Sequence, residues 1–123
     1  MILSWSKLAL SLSMLISLPV HAVQLTQAEY YQFIDVQTKI VNETKPILDQ
    51  PNPDTSASAQ REAFCSRLKA YENIKVTSEE NMNLNMAPMM KMVAESYLSR
   101  QQESLTNSGM TTSVFCASAE QSK

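Results

Sequence analysis

The chain of 123 residues holds one glycine, one histidine and one tryptophan. Tight turns with positive φ draw heavily on glycine, and a β-sandwich or barrel of this length needs several of them. With Gly109 alone, an all-β fold is excluded. The glycine-rich loops that cradle phosphates and dinucleotides are excluded for the same reason. The other two scarce residues, Trp5 and His21, both fall within the first 22 positions. If that segment is removed, the remainder has no imidazole for a Ser/His triad or an HExxH zinc site.

Removal is what the segment predicts. Lys7 closes a short n-region, the thirteen mostly apolar residues from Leu8 to Val20 form an h-region, and Val20-His21-Ala22 supplies a small-x-small cleavage pattern. The h-region is also the longest apolar stretch, and as a helix it covers only ~20 Å of a hydrocarbon core ~30 Å thick. It therefore reads as a cleaved signal peptide, residues 1–22, and the working protein is expected to be exported, periplasmic or secreted, with no membrane span after cleavage. No Cys stands at the cleavage point, so a lipid-anchored product is not expected.

Positive charge is also scarce. Beyond Ala22, nine Lys and Arg stand against twelve Asp and Glu, a net charge of −3, and the bases are scattered among the acids. Nucleic-acid binding and a basic membrane-surface helix both require a clustered positive field, so neither is expected. The only two cysteines, Cys65 and Cys116, are predicted to pair after export.

What is present is helical periodicity in one domain, residues 23–123. Tyr30, Phe33, Ile34, Gln37, Ile40, Val41, Thr44 and Leu48 share a stripe at 100° per residue, opposite Asp35, Lys39 and Glu43. Thr26 and Glu29 make a capping box before it. A first helix is expected at 27–48, then a linker at 49–58 with two prolines. A second helix at 59–75 carries Phe64, Leu68 and Tyr71 inward and Cys65 on its flank. Thr77 with Glu80 forms another capping-box pattern, which predicts a restart there.

A hairpin turning near Thr77 constrains the disulfide. An unbroken helix to Ser108 would leave more axial distance than Met110 to Cys116 can bridge. The helix is therefore expected to break at Pro88, giving a short helix at 78–84 and a longer one at 88–108. The latter turns Met90, Val93, Ala94, Tyr97, Leu98 and Leu105 inward and ends at Gly109. The fold class is thus all-α: a small three- to four-helix domain whose disulfide clamps the C-terminal tail to the second helix.

With no histidine and both thiols committed, Glu79 and Glu80 are the only adjacent carboxylates left for acid/base work. At a helix start they serve the helix dipole, and no catalytic residue or cofactor is assigned. Asn42-Glu43-Thr44 matches the N-glycosylation pattern, which matters only in a eukaryotic source. The positive feature is the run 81–92, NMNLNMAPMMKM, with Met82, Met86, Met89, Met90 and Met92. Methionine fills cores, lines adaptable binding surfaces, and as a soft thioether binds Cu(I) or Ag(I). Met82, Met86 and Met89, at i, i+4 and i+7, would share one face of a continuous helix. Met89 and Met92 fall outside the inward arc, as does Tyr31 on the first helix, so these three are the candidates for contact with a partner. The reading is a non-catalytic exported protein that binds another protein as a chaperone, adaptor or inhibitor. The alternative is a methionine-rich Cu(I)/Ag(I)-binding protein using the five methionines.

Overall fold

The structure, a computed structural model, describes residues 24–50 and 52–121, the side chains of 118–121 excepted. The expected signal peptide lies outside the described residues. Those described form helices α1 (Gln27–Leu48), α2 (Ala57–Glu80), α3 (Ala87–Asn107) and α4 (Thr112–Gln121), with no strand among them. The fold class is all-α, as the glycine scarcity and periodicity require.

α1 begins where its capping box places it: the Glu29 amide donates to the Thr26 hydroxyl at 3.2 Å, and the Thr26 amide to the Glu29 carboxylate at 3.0 Å. Those bonds hold the Glu29 carboxyl below its ordinary range. Of the predicted stripe, Tyr30, Ile34, Gln37 and Thr44 are buried and the other four half-buried. Pro46 lies inside the last turn without ending the helix.

α2 is the element on which every other helix packs. It runs past Thr77 to Glu80, so the restart expected at Thr77 does not occur and 78–84 is not a separate helix. The capping-box pattern is overridden by tertiary partners. The Ser78 hydroxyl is fully buried against the Tyr30 hydroxyl at 2.7 Å, and the Thr77 carbonyl accepts from the Asn81 side chain at 2.8 Å. Locally available hydroxyls compete for capping only where nothing better binds them.

The turn falls instead at 81–86, locked by the segment before α1 and the helix's first residue. Asn81 Oδ1 accepts from the Leu25 amide at 2.8 Å, Gln24 donates to the Glu80 carbonyl at 2.8 Å, and Gln27 pairs with the backbone of Asn85 at 2.8 and 3.3 Å. α3 then starts at Ala87 with Pro88 in its first turn, the position the missing N–H tolerates.

The later turn also changes the C-terminal tail. Cys65 now lies ~23 Å from the end of α2 and α3 is ~30 Å long, so the disulfide needs only a short return. The slack is taken up by α4, where a tail without helix was expected; Gly109 at φ 75° reverses the chain before it. Cys65 and Cys116 are joined with Cα atoms 5.6 Å apart. Phe64 turns toward α4, meeting Phe115 edge-on at 5.6 Å under the guanidinium of Arg61. The main core lies between α1, α2 and α3, around Tyr30, Ile34, Ile74, Ala87 and Ala94.

Candidate binding surface

The first half of α3 carries the methionine run, and the structure divides it by direction. Ala87 and Ala94 are fully buried, and Met90 packs half-buried on the same core. Met89 and Met92 point out at 49% and 64% exposure. Helix geometry places Met86 one turn before Met89, and Met92 and Val93 one turn after it, so the four make a continuous outward apolar face. Val93, expected inward, is exposed. It lies about 120° from the Ala87–Ala94 line, whose alanines let the helix seat closely with little need for flanking side chains.

Met86 is the N-cap of α3 in the left-handed region, φ 73°, with no side-chain capping bond. A non-glycine residue there costs ~1–2 kcal/mol. Its side chain stays exposed on the edge of the face.

Met82 is exposed too, but it stands in the turn and not on α3. The alignment of Met82, Met86 and Met89 on one helix does not form, because the chain turns between the first two. The five methionines of the alternative thus separate into one in the turn, three on the outward face and one in the core. Among the described residues there is also no group of three His, Cys, Asp or Glu able to hold a metal ion.

Tyr31 is exposed on α1, a different helix from Met89 and Met92. Glu79 is not in the first turn of a helix but in the last turn of α2, where its carboxylate lies 3.7 Å from Lys91. Lys91 also reaches Glu95 at 3.7 Å, so charge borders the methionine face on one side. Glu80 offers its backbone carbonyl to Gln24.

A second polar centre was not legible from spacing. Arg67 on α2, with its side chain 13% exposed, forks both terminal nitrogens onto the Asp49 carboxylate at 2.9 and 3.0 Å. Its Nε donates to the Thr44 hydroxyl at 2.7 Å. Beside it Tyr97 of α3 stacks on Tyr71 with ring centroids 4.0 Å apart. Burial opposes the guanidinium charge, but the hydrogen bonds and field of Asp49 outweigh it and raise the Arg67 pKa. The same bonds lower the Asp49 carboxyl, and burial raises the Tyr97 phenol. Every group finds a partner, which makes this a clamp joining three helices. Its sequence signal was weak: a threonine on an apolar stripe, with partners 18 and 23 residues apart.

No helix among the described residues is long and apolar enough to cross a membrane. No protein-family model, curated protein or solved structure matches the chain.

Proposed function

We propose that the protein is exported, non-catalytic, and acts by binding another protein through the α3 face of Met86, Met89, Met92 and Val93. The observation that carries this is the exposure of four large apolar side chains on consecutive turns of one helix, at 43–64%. Scattered exposed hydrophobes are ordinary, whereas a contiguous patch marks an interaction surface. Methionine suits one that must adapt its shape, and the occupant that fits an apolar helical stripe is an amphipathic helix of the partner. The disulfide supports export, since such bonds persist in oxidising compartments.

Photocrosslinking from the chain in its own compartment tests this. A photoreactive residue at position 89 or 92 should give one discrete protein adduct, absent from the exposed apolar positions 36 and 114. Equal adducts from all four positions, or none from 89 and 92, would contradict it.

A Cu(I) or Ag(I) site is the second reading, favoured by the one-turn spacing of exposed Met86, Met89 and Met92. Native mass spectrometry with Ag(I) should then show a stoichiometric adduct that is lost when the three become leucine. No adduct, or one indifferent to the changes, removes that reading.

A further inference from the structure

A cleft of about 400 Å³ opens on the far side of α2, between α1 and α4. That volume lies within the range of small-ligand pockets. Its apolar walls are Ile40 of α1, Leu68 and Ala70 of α2, and the Cys65–Cys116 bridge. Against them stand two amides. Gln37, only 7% exposed, accepts through Oε1 from Asn73 Nδ2 at 3.3 Å. Among the described residues no further hydrogen bond reaches Gln37 Nε2 or Asn73 Oδ1, and neither atom is sealed from solvent.

A glutamine on an otherwise apolar stripe is costly to bury unless its hydrogen bonds are made. Here one is made, and a donor and an acceptor on two hydrogen-bonded neighbours remain available at the cleft wall, where solvent reaches them. The group that answers a donor and an acceptor at once is another amide, whose C=O meets Nε2 and whose N–H meets Oδ1. The rim decides against a carboxylate. Glu62 and Glu72 outnumber Lys69 there, and Lys69 is already 3.7 Å from Glu72.

We infer that this cleft binds an extended peptide segment of a partner, with one aliphatic side chain against Ile40 and the disulfide and its backbone amide on Gln37 and Asn73. The site is separate from the α3 face and does not rest on it.

The test is a titration of the ¹⁵N-labelled exported protein, followed by NMR, with N-acetyl-leucinamide and with a capped Ala-Ala-Leu-Ala-Ala peptide. Both should shift the side-chain amide signals of Gln37 and Asn73 saturably, the peptide at least as tightly. N-acetyl-glycinamide, which lacks the side chain, and 4-methylpentanoate, which replaces the amide by a carboxylate, should each bind roughly tenfold more weakly. The double variant Gln37→Leu/Asn73→Leu removes both partners together, a change that leaves stability nearly neutral, and in it the saturable shifts that both ligands also cause at the backbone amides of Leu68 and Cys116 should be abolished. Thr112→Trp, placed at an exposed rim position, should block the cleft without touching the amides. A carboxylate that binds as tightly as the amide, a peptide that fails where the single-residue amide binds, or binding unchanged in both variants overturns the assignment.

Discussion

On α3 the fully buried side chains are small, and four large apolar ones at its N-terminal end face out. Ala87 and Ala94 are fully buried, while Met86, Met89, Met92 and Val93 are exposed. Burying a methionine side chain contributes ~1.5–3 kcal/mol, so a sequence selected for stability alone has reason to turn these inward. The buried side instead uses alanines, which let α3 lie close on Tyr30, Ile34 and Ile74. Close seating needs small residues at the contact, and that leaves the methionines free on the other side. The inward face is thus fixed by shape, while the outward face is free of packing constraint.

Changes to the packed side should cost stability, in descending order. Replacing both cysteines by alanine opens a loop of 51 residues. The chain-entropy model gives ~4 kcal/mol for this. Denaturant unfolding should show that loss, and circular dichroism should show less helix as α4 detaches. Ala94→Leu forces an isobutyl group into a position with no exposed surface. Overpacking of this kind costs ~1–3 kcal/mol, and calorimetry should show a clearly lower melting temperature. Tyr30→Phe removes the buried hydroxyl pair with Ser78. It should cost ~1–3 kcal/mol, because Ser78 is left unpartnered.

The smallest effect belongs to the edge of the packed side, at Asp49. Its folded carboxyl is held below the ordinary value because Arg67 bonds it. A depressed carboxyl contributes stability that is present above the unfolded value of about 3.9 and is lost as pH falls through the folded one. Asp49→Asn should therefore be less stable than the parent at neutral pH, with the gap closing in acid. A constant gap across that window would place the effect elsewhere.

How much of this was legible follows from which signals were local. α1 was readable residue by residue, since its capping box and its stripe agree. The end of α2 was not, because Thr77 and Glu80 imitate a helix start and only the buried Tyr30–Ser78 bond, across 48 residues, shows that the helix continues. α4 was hidden by its shortness. Its one local signal is Thr111, whose hydroxyl accepts from the Val114 amide at 3.3 Å. On the candidate surface, Met89 and Met92 were readable from helical phase. Met86 and Val93 were not, since the expected arc placed Val93 inward and the true start of α3 depended on where α2 stopped. The Arg67 clamp and the Gln37–Asn73 pair depend on long-range contacts that no spacing encodes.

The contrast between the faces is tested most directly by one paired measurement on Met89→Glu/Met92→Glu, with melting and partner crosslinking from position 93 read on the same preparation. Both side chains are at least 49% exposed, and surface changes of this kind stay within about 0.5 kcal/mol each. The account predicts a melting temperature close to the parent's and loss of the crosslinked adduct. An adduct that survives two charges on the face, or a melting temperature that falls as far as that of Ala94→Leu, would contradict it.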